Sequence, residues 1–405
     1  MKAVILAAGE GIRCRPLTSI RSKVMLPVAN KPILEHVIDS LAKNGIKNLI
    51  LVVGYERERI MNYFEDGIDF GVNIKYVHQK AQLGTAHAIK QAADLMEEDD
   101  REFMVLNGDN VIEPQTIRDL IDKHTGDATI LTIKKEHIRG YGVVIASGKK
   151  VTKIIEKPTT ELSHIINTGI YVFNQEIFER IEHTQISPLG EYAITDTIQQ
   201  MIEDGMDVDH VLTNSLWRDA VFAWDLLKDN SMVLDRSEDY NIKGTVEDGA
   251  IIHGKVSIGN NTLIRSGCYI VGPAMIGDNC EIAPNVVILP STTIGNNVSV
   301  GSFTQVQNSI IMNNTRISSH GSISNSIIGL NNSIGPYFVA EDRENVRIEM
   351  EDELHTAEKL GAITGDDITI GHRVLVKAGS MIYHNCRIES GKTIAQILPE
   401  NSIVV

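Results

Sequence analysis

The 405-residue chain is 42% hydrophobic with a formal net charge of −15, a composition with room for two or three folded domains and ordinary for soluble globular protein. That acidity excludes general binding to nucleic acid or to an anionic membrane, which needs a basic face. Four cysteines, at 14, 268, 280 and 386, show neither zinc spacing nor a small disulfide framework, and the chain lacks an apolar run long enough to span a bilayer. It is expected to be cytoplasmic with reduced thiols.

Lys2 to Leu6 is an apolar run that suits a buried parallel strand. It leads into Leu6-Ala7-Ala8-Gly9-Glu10-Gly11-Ile12-Arg13-Cys14-Arg15-Pro16-Leu17-Thr18, closed by Lys23. Small residues there let the backbone aim several N–H groups at one anion, and Arg13, Arg15 and Lys23 add guanidinium forks and a point charge. The spacing fits neither a Rossmann dinucleotide loop nor a Walker loop. A triphosphate cradle and a plain turn both remain open on spacing alone.

Ile33, Leu34, Val37, Ile38 and Leu41 share one helical face, and Gly45 stops that helix. Leu49–Val53 reads as the next buried strand, followed by a helix near 56–64, a strand near 73–78, a helix near 85–97 and the strand Phe103–Leu106. Such alternation predicts an α/β domain, a mostly parallel sheet covered by helices, with ligands beyond the carboxyl ends of its strands. Gly9–Lys23 and Asn107–Asn110 both fall there. A strand-rich stretch from about 128 to 173 follows, a helical pattern at Thr195–Ile202 and the segment Trp217–Leu227 end this domain, and Asp229–Asp239 reads as a polar connector.

From Val246 onward the period is six. Val246, Ile252, Ile258, Ile264, Ile270, Ile276, Ile282, Ile288, Ile294, Val300 and Val306 recur in register; after one-residue slips the pattern resumes at Ile311, Ile317, Ile323, Ile328 and Ile334, and again at Ile370, Val376, Ile382, Ile388 and Ile394. Six matches neither α-helix nor simple strand but fits a hexapeptide β-helix, each repeat forming one side of a triangular coil. Glu341–Lys359 breaks the period with an acidic run and reads as an excursion. The expected domains are 1–228, a connector at 229–245, and a β-helix at 246–405 interrupted at about 341–361.

The opening block with Lys23, then Gln79…Gly84-Thr85-Ala86, Asn107-Gly108-Asp109, Glu156-Lys157-Pro158, Asn167-Thr168-Gly169 and Trp217-Arg218-Asp219, resembles the sugar-1-phosphate nucleotidylyltransferases in order and spacing. The resemblance covers roughly the first 228 residues and is greatest to archaeal two-domain members that end in a left-handed β-helix, often with acetyltransferase activity. It implies transfer of UMP or dTMP from UTP or dTTP to a sugar 1-phosphate of the glucose or N-acetylglucosamine type. The sugar phosphate oxygen attacks the α-phosphorus in line, and pyrophosphate leaves. Such chemistry rests on positioning and electrostatics rather than on a protein nucleophile.

By that resemblance Arg13 and Lys23 neutralise the phosphates, while Leu6, Ala7, Ala8, Gly9, Gly11, Gln79, Gly84 and Thr85 bind the nucleotide. Asp109 and Asp219 hold Mg²⁺, which suits one or two carboxylates plus phosphate and water. Gly142, Glu156, Lys157 and Asn167 take the sugar phosphate. Read without the resemblance, Lys23 is a surface lysine, Gln79 an exposed polar residue and Glu156-Lys157-Pro158 a charged turn; Asp109, at a strand's carboxyl end, still reads as functional. The resemblance further implies a homo-oligomer, a trimer or multiple of trimers through the β-helix.

Departures are few in the first half: Ile12, Ser22 and Asp219-Ala220-Val221-Phe222-Ala223 replace the family's usual residues. In the β-helix they are larger. Ser318-Ser319-His320-Gly321-Ser322 stands where the relatives carry an acetyl-transfer histidine block, with His320 one position away, and Gly335-Pro336-Tyr337-Phe338 and Glu341 replace further motif positions, though Lys359 persists. An assembly or regulatory role is therefore expected for this domain, with His320, His372 and His384 as alternatives for acetyl transfer. A non-catalytic scaffold is the competing class, since some translation exchange-factor subunits share this two-part architecture.

Overall fold

The computed structural model describes residues 1–160, 162–187, 190–350 and 353–405. They divide into two compact units: Met1–Glu10, Arg21–Met25 and Ile33–Asp219 form the first; Gly11–Ile20, Leu26–Pro32 and Ala220–Val405 form the second.

The strands of the first unit are β1 (Lys2–Ala7), β2 (Asn48–Val53), β3 (Asn73–His78), β4 (Glu102–Asn107), β5 (Asn110–Ile112), β6 (Ala128–Lys134), β7 (Val143–Ser147), β8 (Lys150–Ile155), β9 (Ile165–Asn174), β10 (Val208–Thr213) and β11 (Trp217–Asp219). Nine of them form one sheet in the order β3-β2-β1-β4-β9-β6-β10-β8-β7. The four strands from β3 to β4 are mutually parallel, as the helix-strand alternation predicts. β9 then runs antiparallel to β4 and β6, which brings its beginning, at Asn167–Gly169, to the edge where β4 ends.

Alternation along the parallel strands loads both faces. Ala3, Ile5, Leu49, Leu51, Met104 and Leu106 pack on one side with Leu34, Val37, Ile38 and Leu41 of helix α1 (Ile33–Lys43). Val4, Ile50, Val52, Phe103 and Val105 pack on the other. Helix α2 (Arg57–Phe64) lies where expected, whereas the stretch near 85–97 forms α3 (Thr85–Lys90) and a short 3-10 turn at Ala93–Leu95. Helices α4 (Pro114–Ile121), α5 (Glu176–His183) and α6 (Ile194–Glu203) complete the layers; α3, α5 and α6 serve the second face through Ala86, Ile89, Ile177, Ile198 and Met201.

In the second unit, three sheets of short parallel strands stack coil on coil, the expected parallel β-helix. Every hexad aliphatic from Ile258 to Ile394 is buried, and Val246 and Ile252 pack against the same core. The slips in the sequence period are changes of coil length: Ile264, Ile282 and Val300 pair at 18-residue steps, then Ile317 and Ile334 at 17. Ile334 pairs with Ile370, a 36-residue step that contains the excursion. That excursion is an antiparallel hairpin, Arg343–Met350 with Glu353–Leu360, folded down through buried Val346, Ile348, Ala357 and Leu360; positions 351–352 lie outside the described residues.

Asp229–Asp239, read as a polar connector, continues helix α7 (Asp225–Arg236). Asp229 and Asn230 are buried, whereas Asp235, Arg236, Glu238 and Asp239 face solvent. Asn230 is fully buried; its Oδ1 accepts from the Ala29 N–H at 2.8 Å and its Nδ2 donates to the Ser291 carbonyl at 3.1 Å.

Candidate active site

The chemistry-bearing residues of the first unit gather at the edge where β1 and β4 end. Asn107-Gly108-Asp109 turns there between β4 and β5, held to the opening loop by the Gly108 N–H, which donates to the Leu6 carbonyl at 2.8 Å. A methyl group at Gly108 would sit 3.1 Å from that oxygen and 3.3 Å from Leu34, so the close approach of the backbone calls for glycine.

β5 pairs antiparallel with β11, placing Asn110 opposite Asp219. This short ladder brings Asp219 beside Asp109, and both carboxylates meet Lys23, at 2.6 Å for Asp109 and 3.0 Å for Asp219. Burial pushes the Asp219 carboxyl above the usual carboxylate range; Lys23 pulls against that shift, and Asp109 adds to it. The like charges repel, and one lysine leaves the cluster with an excess negative charge.

No group of three or more His, Cys, Asp or Glu capable of holding a metal occurs among the described residues. Two carboxylates nevertheless suit a cation that keeps most of its waters. Asn110, 2% exposed, has a buried Oδ1 with no hydrogen-bond partner. Asn110 is the register partner of Asp219, so an orphaned polar atom stands on the rung that carries that carboxylate. The all-oxygen donor set fits a hard divalent ion.

The expected sugar-phosphate residues also assemble. The Asn167 N–H donates to the Gly142 carbonyl at 2.8 Å, and a methyl at Gly142 would stand 3.1 Å from the Glu156 carboxylate. Burial raises the Glu156 carboxyl, with Lys157 and the Thr195 hydroxyl, 3.2 Å away, opposing. Lys157 Nζ lies 3.8 Å from Glu156. Asn167 Nδ2 donates to the Tyr171 hydroxyl at 2.6 Å while its Oδ1 accepts from the Gly169 N–H at 3.0 Å, so the side chain is fixed at both ends.

Among the residues expected to bind the nucleotide, Gln79 is buried, not exposed, and its Nε2 lies 2.9 Å from His87 Nδ1 and 3.3 Å from the Gly84 carbonyl. Burial holds His87 below its ordinary range, which favours the neutral ring that can accept that bond. The Thr85 hydroxyl accepts from the Ile194 N–H at 2.9 Å. Gln82, which the sequence gave no reason to single out, donates to the Ala8 carbonyl at 2.9 Å and ties the base side to the opening loop.

Gly11 and Arg13 belong to the second unit. Gly11 has φ 72° and opens the 3-10 turn Ile12–Cys14, with Arg13 exposed upon it. Also in that unit, His320 stacks between Phe303 and Tyr337, at 5.2 and 4.8 Å between ring centres. His372 is exposed, and His384 faces Glu400 at 3.5 Å.

The Nucleotidyl transferase family matches residues 2–235, and the GMPPB C-terminal domain matches residues 270–398. The Bifunctional protein GlmU of Methanocaldococcus jannaschii is 33% identical over 410 residues, covering 100% of this chain and 97% of its own. Low-salt glycan biosynthesis nucleotidyltransferase Agl11 of Haloferax volcanii is 37% identical over 265 residues, 64% of this chain and 72% of its own. A Glucose-1-phosphate thymidylyltransferase of Streptomyces antibioticus is 32% identical over 65% of this chain and 74% of its own. A crystal structure from Bacillus anthracis, in complex with sucrose, superimposes with a TM-score of 0.53 at 26% identity, covering 60% of this chain and 97% of that one. With one family spanning more than half of the sequence and a relative aligned along all of it, the chain belongs to the nucleotidyl transferase family, among the sugar-1-phosphate nucleotidylyltransferases that carry a C-terminal β-helix.

Proposed function

We propose that the protein transfers UMP or dTMP from UTP or dTTP to a sugar 1-phosphate of the glucose or N-acetylglucosamine type, with release of pyrophosphate. The observation that carries this reading is the meeting of Asp109 and Asp219 on Lys23, from positions 86 and 196 residues away. A surface lysine has no need of two half-buried carboxylates. Family members work with a divalent cation; Mg²⁺ is the ion proposed here, held by Asp109 and Asp219, where it would neutralise phosphate charge and align the reacting groups.

Gln79 separates uracil and thymine from cytosine. With its amide nitrogen directed at Gly84 and His87, its carbonyl is left to accept from a ring N–H, which uracil and thymine offer at N3 and cytosine does not. Leu6 to Gly9, Gly11, Gly84 and Thr85 would line the nucleotide. Arg13 would grip the leaving pyrophosphate, while Gly142, Glu156 and Asn167 take the sugar and Lys157 its phosphate. The division of labour proposed for the chain is transfer by residues 1–228 and trimeric assembly through 246–405, in the cytoplasm.

The test is pyrophosphate release from four nucleoside triphosphates against a set of sugar phosphates, with Mg²⁺ and with chelator. Turnover is expected with UTP or dTTP alone. No turnover with any pair would favour the scaffold reading. Full-length similarity to a protein named bifunctional gives acetyl transfer a second hearing. Thiol release from acetyl-CoA with glucosamine 1-phosphate would establish it, although both faces of the His320 ring are already covered.

A further inference from the structure

Gln79 follows β3 directly, and its backbone is fixed by its N–H, which donates to the Val53 carbonyl at the end of β2 at 2.9 Å. Its side-chain amide faces two groups. One is the Gly84 carbonyl at 3.3 Å, which can only accept, so the amide nitrogen must point at it. The other is Nδ1 of His87, on α3, 2.9 Å from the same nitrogen. On the far side of the ring, Nε2 lies 3.3 Å from the amide nitrogen of Gln91, which also donates to the His87 carbonyl at 3.1 Å. Both ring nitrogens thus face amides, and a neutral imidazole accepts at one nitrogen and donates at the other. The shorter contact is to the buried Gln79, so Nδ1 accepts there, while the half-buried Gln91 is able to turn its amide oxygen to the Nε2–H.

An imidazolium would carry a proton on both nitrogens and meet Gln79 donor to donor. Burial works against that charged form, and so does Lys90 on the same helix, itself paired with Glu182 of α5 at 3.2 Å. A neutral ring holds the Gln79 nitrogen and leaves the amide oxygen outward. Reversing the amide would set that oxygen against the Gly84 carbonyl and offer an N–H instead, the donor that N3 of cytosine accepts and that N3–H of uracil or thymine repels. The orientation of one amide is thus a choice between bases. Resting on the pyrimidine reading proposed above, we infer that His87 is a positioning residue that sets base specificity: by accepting from Gln79 it keeps the amide oxygen for the N3–H of uracil or thymine and turns cytosine away.

The readout is the ratio of kcat/KM for UTP or dTTP to that for CTP, in which ionisation of the shared triphosphate cancels. His87→Leu removes the acceptor and should lower that ratio by about 5- to 10-fold, through the triphosphate KM and with the sugar 1-phosphate KM within about twofold. His87→Asn, whose side-chain oxygen can stand in for Nδ1, should keep the ratio near that of the wild type. In the wild type the ratio should fall as pH drops from about 8 to about 5 and the ring gains its second proton, whereas in His87→Asn it should stay level. An unchanged ratio in His87→Leu would overturn the inference. Equal losses in the Leu and Asn variants would do the same, by showing that only the packing of the ring matters. If His87→Leu does not fold, the pH profile of the wild type decides, and a level ratio overturns the inference. A wild type that prefers CTP or a purine triphosphate sinks the base reading beneath it. Should the wild type release no pyrophosphate, the proposed reaction fails separately, and calorimetric titration of UTP, dTTP and CTP into the wild type and His87→Leu decides the role of His87.

Discussion

Replacing Gly84 by alanine tests how the base side is built. Gly84 has φ 108° and ψ 176°, a region of backbone space essentially restricted to glycine. A methyl there would lie 2.5 Å from the carbonyl oxygen of Tyr192, 2.8 Å from its nitrogen and 2.9 Å from its carbonyl carbon. Tyr192 cannot retreat freely. Its N–H donates to Leu83 at 2.8 Å and its carbonyl accepts from Ala86 at 2.9 Å, clasping the residues on both sides of Gly84. Opening the clash to ordinary contact takes roughly 1 Å and loosens at least one of those bonds. Backbone strain of about 1–3 kcal/mol and a lost hydrogen bond of about 0.5–1.5 kcal/mol sum to roughly 2–4 kcal/mol. For a unit of this size that lowers the melting temperature by about 5–15 °C. The triphosphate KM should rise as well, because Gln79 loses its Gly84 anchor. Thermal melts and pyrophosphate-release kinetics measure both, with Gly9→Ala as the stability control, since a methyl at Gly9 meets nothing within 4 Å. A Gly84→Ala protein that melts with the wild type and keeps its KM would refute the reasoning.

Asp109→Asn should cut turnover by roughly 100-fold or more under saturating Mg²⁺ while costing at most about 1 kcal/mol of stability, since the ion pair it removes is partly exposed; a rate within a fewfold of wild type would remove Asp109 from the metal site. Glu156→Gln tests the sign of a buried charge. The carboxyl is raised in the fold, so its stabilising contribution is complete below its ordinary value of 4.5 and is lost as pH rises through the raised one. The Gln variant should therefore melt at or above the wild type near pH 8, lose that advantage near pH 4, and bind sugar phosphate more weakly; lower stability at pH 8 would contradict this. In the β-helix, Asn332 is buried, donating to Thr364 at 3.0 Å and Gly365 at 2.9 Å and accepting from the Ile368 N–H at 2.7 Å. It staples the coil before the hairpin to the coil after it. Asn332→Ala strands those groups, costs about 1–3 kcal/mol, and should speed hydrogen exchange at Ile368; unchanged exchange there would show that the staple is not needed.

The hexad period announced the β-helix because an inward aliphatic at every sixth position leaves no alternative partner but the coil above and below. Its slips were visible too, and only the pairing of Val300 with Ile317 shows that they are whole coils shortened by one residue. Polar residues were harder to read. Asp229 and Asn230 look like linker material because composition cannot tell a solvated amide from one that ties two other segments to its helix. The burial of Gln79 was not foreseeable from a loop of polar residues.

The metal-binding reading rests on strand register more than on the identity of either aspartate. β5 and β11 form a ladder of only three rungs, and a slip of one residue would turn Asp219 away from Asp109 toward the opposite face. So short a ladder cannot fix its own register, and the fixing comes from its neighbours. The Trp217 indole donates to the Thr168 carbonyl at 3.0 Å, the Leu216 N–H donates to Glu113 at 2.8 Å, and the Leu216 carbonyl accepts from the Thr116 hydroxyl at 2.7 Å. One contact comes from β9 and two from the start of α4, yet all three fall within three residues of Asp219. A tryptophan whose ring is buried and whose N–H is spent on a backbone carbonyl is thus what holds a distant aspartate beside Asp109 in the proposed cation site. That the carbonyl belongs to Thr168, between Asn167 and Gly169 of the proposed sugar site, would make the same bond a rigid spacer between the sugar and the reacting phosphates.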